Sequence, residues 1–305
     1  MLDKRFDPQK FIDREFEQEL FEELLQLKDQ ARILAIKDDG GMGKSQLLQK
    51  FQYRCRTVRP RTLVSLVDLG QLPDSSPLSL AQQLKKELSA FLAFPTFVHF
   101  DAARRAYDFT TIRGTVDLRG ADLRQAQIRA AGVMTNIEQA GSVMVNATTT
   151  TFTTEQQAMA QERCVQAFLA DLAQHCQEQL VVIIFDGYEK CNADLQTWLL
   201  GHFLELYCFD IEKRPPHLVI VVAGRELPDF EQRWSRVDCG MIVKSVRALG
   251  KWTAAHVEEC LRVHGYYDFT PQDVAAFHRL IGMGIPPSDV VGLIQRVVAD
   301  RRKEL

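Results

Sequence analysis

The chain has 305 residues, 46% of them hydrophobic, enough to bury one large core or two modest ones. A formal net charge of −3 argues against a dominant nucleic-acid or membrane-surface role, because a near-neutral chain is steered to neither. Seven singly scattered cysteines without a CxxC pair read as buried thiols, and no apolar run nears the ~20 residues that span a bilayer. At the N-terminus, MLDKRFDPQKFIDREFEQEL is charged and lacks the apolar centre of a signal peptide, so a cytoplasmic protein without a membrane role is expected.

In chain order, residues 13–29 predict a helix with Phe16, Leu20, Leu24 and Leu27 on one face. Arg32 to Ile36 reads as a short buried strand, and the helix after Lys44 turns Leu47, Leu48 and Phe51 inward. Thr62 to Leu69 is a second strand, followed by a helix over Leu78 to Phe94. Glu155 to Gln177 is a long helix, Leu180 to Asp186 a continuous apolar strand, and Ala193 to Phe209 a helix. His217 to Arg225 is another apolar strand, with Met241 to Val246 as the last. Beyond Lys251 only helices are expected: Thr253 to His264, Thr270 to Ile281 and Pro286 to Arg301. Strands this apolar are buried on both faces, as in a parallel sheet covered by helices.

Residues 107–154 differ in kind. Leu118, Leu123, Ile128 and Val133 fall five apart, each preceded two places earlier by Val116, Ala121, Ala126 or Ala131. This spacing resembles the pentapeptide repeat, a β-solenoid, but twenty residues are too few to bury a solenoid core. A flexible or hairpin-forming insertion ending in NATTTTFTT explains the stretch equally well. In both cases an exposed insertion between strands of the main sheet is expected.

The chemistry concentrates around DDGGMGKSQ. A triphosphate needs converging backbone N–H groups, a cation at the β/γ bridge and a hydroxyl for magnesium. Gly40, Gly41 and Gly43 allow the tight turn, with Met42 between them. Lys44 reaches the phosphates, while Ser45 and Gln46 open the helix. The full pattern GxxxxGKS/T wants glycine where Asp38 stands; the added charge costs little if the carboxylates of Asp38 and Asp39 face solvent. Asp186, ending an apolar strand in IIFDGYEKC, suits a magnesium ligand, and Glu189 suits the group that orients or deprotonates a water. A helix N-cap and a solvated charge are the plainer roles for these two acids. Arg225 ends another apolar strand at the edge where open α/β sheets collect ligands, and is otherwise a surface arginine. Pro286 and Pro287 in GIPPSD fit a helix-initiating turn.

Taken together, these motifs resemble the STAND class of P-loop ATPases, signal-transduction switches related to AAA+ and NACHT proteins. FIDRE resembles the family's leading F-x-x-R-E motif, GGMGKS its Walker A loop, FDGYE its Walker B strand, AGR its sensor-1 arginine and GIP its lid motif. The resemblance implies an α/β fold: a three-layer P-loop sandwich on a central parallel sheet, then a small helical lid. The expected divisions are an N-terminal segment at 1–30, a nucleotide-binding domain at 31–249 carrying the 107–154 insertion, and a lid at 250–305. It also implies ATP or ADP with Mg²⁺ as ligands. Ile12, Arg14, the loop from Gly40 to Gln46 and Pro286 would sit near the nucleotide. Ser45 and Asp186 would hold the metal, and Lys44, Asp186, Glu189 and Arg225 would be catalytic.

The expected function is a slowly hydrolysing ATP switch that acts on a partner protein or by self-assembly as an oligomer, with nucleic acid not expected. A non-hydrolysing nucleotide-binding module and a scaffold working through 107–154 are the alternatives. Adenine over guanine rests on the resemblance, as no NKxD motif is found.

Overall fold

The computed structural model describes residues 6–28, 30–59, 61–90, 96–111, 129–130, 133–134 and 153–304. The first half of the chain forms α1 (Glu15–Leu25), β1 (Ile33–Lys37), α2 (Lys44–Val58), β2 (Leu63–Asp68), α3 (Pro77–Ser89) and α4 (Val98–Thr111). Next come two-residue strands β3 (Arg129–Ala130) and β4 (Val133–Met134), then α5 (Thr154–Glu178), β5 (Val181–Asp186), α6 (Ala193–Trp198) and β6 (Leu218–Gly224). The chain finishes with α7 (Arg236–Ile242), β7 (Val243–Val246), α8 (Ala254–Val263), α9 (Pro271–Gly282) and α10 (Pro287–Glu304).

Five strands form one parallel sheet in the order β2-β5-β6-β1-β7. The apolar runs explain it: β6 is buried over its whole length, as a strand must be when helices cover both faces. This is the α/β P-loop architecture expected from the sequence. Register sets the working edge. Asp68 pairs with Asp186, Asp186 with Ala223, and Lys37 with Gly224, so the carboxyl ends of β2, β5, β6 and β1 lie side by side. Ligands of open α/β sheets bind outside such ends.

Three elements depart from the expected pattern. In α1 the buried stripe runs through Phe21, Leu24 and Leu25, with Leu20 and Leu27 of the expected row partly buried against the same core, while Phe16 is 63% exposed. Phe21 stacks on Phe51 of α2 at 4.1 Å and supplies the inward ring that was expected of Phe16. Past Trp198 the regular helix becomes a π-helix over Leu199–Phe209, closed by Asp210 N–H donating to the Glu205 carbonyl five residues back. There Phe203 stacks between Trp198 and Tyr207, at 5.8 and 5.4 Å. Helix α4 was not foreseen.

Helices α8, α9 and α10 close on a cluster that includes Trp252, Val257, Leu261, Ile281, Val290 and Ile294, joined by Ile12 from the N-terminal segment. By contact density the chain divides into two compact units, Met1–Thr96 with Leu172–Leu305, and Phe97–Asp171. In the second unit Phe168 packs against Phe97 and Phe100, and the buried Asp171 carboxylate accepts the Phe100 N–H (2.9 Å) at the start of α4. The pentapeptide-like stretch lies outside the described residues, apart from the antiparallel pair β3–β4. Among the described residues, no helix is long and apolar enough to cross a membrane.

Candidate functional site

Residues 38–43 join β1 to α2. Gly41 (φ 78°) and Gly43 (φ 92°) take left-handed conformations that glycine alone adopts cheaply. Gly43 is the N-cap of the 15-residue α2 and contributes no side-chain cap, so the first-turn N–H groups stay open to an anion. The loop is also confined from outside. A Cβ on Gly40 would lie 2.6 Å from Nη2 of Arg225, and one on Gly41 would lie 2.6 Å from Cβ of Pro286. The N–H of Ser288 donates to the Gly41 carbonyl at 3.3 Å, so the first turn of α10 sits directly on the loop.

Ser45 Oγ donates to Asp186 Oδ2 at 2.6 Å, joining the helix start to the end of β5 across 141 residues of sequence. Two hard oxygen donors placed together on the phosphate side of the loop form a set that suits magnesium. Burial raises the proton affinity of Asp186, and the neighbouring Asp68 raises it further, against the Ser45 bond and the charges of Lys190 and Lys44. The ammonium of Lys44 donates to the carbonyls of Asp38 (2.5 Å) and Asp39 (2.6 Å). Burial lowers its proton affinity, opposed by Asp38, Asp186 and Glu189, with Arg225 adding to the lowering. Glu189 Oε2 accepts the Arg225 N–H at 3.0 Å, which fixes the acid against the end of β6.

The N-terminal segment closes another side. Asp13 and Arg14 are consecutive non-glycine residues with positive φ, 69° and 80°, a strained pair that the surroundings must hold. Arg14 is 4% exposed and donates to the carbonyls of Gly250 (2.7 Å) and Met42 (3.1 Å). It therefore spans from the loop to the segment that leads into α8.

A cavity of about 290 Å³ brings these groups together. Ile12, Arg14, Gly40, Gly41, Met42, Gly43, Lys44, Ser45, Gln46, Asp186, Glu189 and Arg225 all line it. Pro286 instead presses on Gly41, and the lining from α10 is Pro287, Ser288 and Val291. Phe11, Trp252, Lys190 and Asp68 were not assigned to the site from the sequence. Trp252 and Phe11 form apolar wall, and Lys190 lines the cavity while donating to Asp68 at 3.1 Å. Asp68 was legible as the acid ending TLVSLVDL; Trp252 carried no signal. The carboxylate of Asp38 also differs from expectation, because it accepts the Leu249 N–H (2.8 Å) instead of facing solvent.

No protein-family model matches the chain, and no curated protein matches it. Solved structures with a similar fold include a replication initiator DnaA bound to AMPPCP and single-stranded DNA, with 14% identity, covering 100% of this chain and 69% of that one at a TM-score of 0.47. The Aeropyrum pernix ORC1 protein in complex with DNA gives 13% identity, 96% and 61% coverage, and a TM-score of 0.46. The ORC2 protein of that organism in its ADP form gives 9%, 97% and 71%, and 0.49. The likeness is one of fold. It corrects the expectation that nucleic acid is not a partner, since two of these three structures hold DNA. The net charge of −3 sums over the whole chain and does not say where the charges lie.

Proposed function

We propose that the chain is an ATP-binding conformational switch of the STAND/AAA+ type with slow, magnesium-dependent hydrolysis. The observation that carries this reading is the Ser45–Asp186 contact beside Lys44. A hydroxyl, a carboxylate and a lysine meet at the N-terminus of α2, the combination that polyphosphate with magnesium requires.

Lys44 and Arg225 bind phosphate oxygens; Ser45 and Asp186 would hold a magnesium ion, which would supply charge neutralisation of the phosphates. Glu189 holds the attacking water as general base, once its carboxylate leaves the Arg225 N–H. The apolar wall of Phe11, Ile12, Trp252 and Val291 takes the base, adenine by the motif resemblance. Contacts to α10 at Gly41 pass the state of the site to the helical region, where a partner protein, a second copy of the chain or DNA would respond.

A second reading, nucleotide held without turnover, is favoured by the Glu189 bond to the Arg225 N–H. Glu189→Gln separates the two. Under hydrolysis the variant retains ATP and loses turnover by about 10²–10⁴-fold, measured as ATP and ADP in the protein fraction. Under the second reading, wild type and variant hold the same nucleotide, unhydrolysed.

A further inference from the structure

Residue 38 is where the loop pattern calls for glycine, yet Asp38 is not among the positive-φ residues. Nothing in the turn demands glycine there. What aspartate adds is a carboxylate, and both of its oxygens are engaged. Oδ1 accepts the Asp39 N–H at 2.7 Å, and Oδ2 accepts the Leu249 N–H at 2.8 Å. The main chain of Asp38 is tied as well: its N–H donates to Gly224 (3.2 Å), next to Arg225, and its carbonyl accepts from Lys44.

The next residue of the receiving segment is gripped from the same loop. Arg14 donates to the Gly250 carbonyl and, through its other terminal nitrogen, to the Met42 carbonyl. Two consecutive residues at the junction of β7 and α8 are thus held from the two ends of the phosphate loop, Leu249 by Asp38 and Gly250 through Arg14. Two positions on, Trp252 lines the cavity, and Thr253 after it caps α8 through the His256 N–H.

We propose that Asp38 and Arg14 are positioning residues that couple the phosphate loop to the Leu249–Gly250 junction. The inference rests on the nucleotide reading above. Two of the three N–H donors of the Lys44 ammonium sit on the carbonyls of Asp38 and Asp39; a polyphosphate that takes more than the third draws the ammonium away from these carbonyls. The peptide after Asp38 is then free to rotate, and its carboxylate loosens its hold on Leu249. The aspartate that breaks the loop pattern makes the junction responsive to what Lys44 binds.

The test is amide hydrogen exchange over Leu249–Trp252 in the full chain, with and without MgATP, for wild type, Asp38→Ala and Asp38→Asn. Binding of MgATP and the melting curve are recorded on the same samples. MgATP should quicken exchange at the junction of wild type by about tenfold, within the usual range of coupling between sites. Asp38→Ala should bind MgATP and exchange equally fast with and without it. Asp38→Asn, which keeps one acceptor oxygen, should regain part of the response; a bond that is merely structural would change the basal rate without changing its dependence on nucleotide. If Asp38→Ala is unfolded, Asp38→Gly, which installs the residue that the loop pattern calls for, takes its place with the same expectation. A wild-type-sized response in the variant, or bound MgATP without any response in wild type, overturns the coupling alone. Absence of MgATP binding in wild type overturns the nucleotide reading and the coupling with it.

Discussion

Asp186 sets stability against chemistry. Its carboxyl is buried beside Asp68, and both influences raise its proton affinity above that of the unfolded chain. The folded protein therefore binds this proton more tightly, so stability falls as pH rises from the unfolded to the folded value, and the full penalty applies above it. Asp186→Asn, in magnesium-free buffer, should raise the melting temperature at neutral pH, with the gain shrinking as pH drops into the carboxylate range. Calorimetry against pH checks this, and an unchanged or lower melting temperature at neutral pH contradicts it. Lys44 contributes charge-assisted bonds to phosphate, worth ~1.5–3 kcal/mol each, so Lys44→Ala should weaken ATP binding by about 10- to 150-fold. Lys44, Ser45 and Asp186 were legible because their roles follow from residue type, order and an adjoining apolar strand. The pairings of Asp38 with Leu249 and of Asp68 with Lys190 were not, because the partners are distant in sequence and no local spacing reveals such pairs.

At the scale of elements, the loop works as a wedge between two neighbours, Arg225 on the Gly40 side and Pro286 on the Gly41 side. Gly41→Ala imposes a left-handed conformation costing ~1–2 kcal/mol and drives a methyl group toward Pro286, so α10 must shift. The variant should melt several degrees lower and lose nucleotide binding; wild-type melting and affinity would mean that the loop and α10 are not held together. The same scale shows where periodicity sufficed. The apolar runs behind β1, β2, β5 and β6 each gave a strand within a residue or two, since burial on both faces leaves no other use for them. In α1 periodicity placed Leu20, Leu24 and Leu27 against the core and misplaced Phe16, because the ring of Phe51 stacks with Phe21 instead. It failed also at Leu199–Phe209, where ring stacking accompanies a five-residue hydrogen-bond step that an apolar run does not announce.

Across the whole molecule, every group lining the site belongs to the unit Met1–Thr96 with Leu172–Leu305, while Phe97–Asp171 has its own aromatic cluster. Excising residues 112–152 should then leave ATP affinity within about twofold, a change below ~0.5 kcal/mol; loss of binding would make that stretch part of the site. The account as a whole rests on Lys44 and Asp186 serving one polyphosphate with its magnesium. Titration calorimetry of the intact chain with ATP measures this directly, in magnesium and in chelator. The predicted result is a saturable one-to-one heat that weakens when magnesium is removed and falls sharply in Lys44→Ala. No heat with the intact chain, or an equal heat in Lys44→Ala, would contradict it.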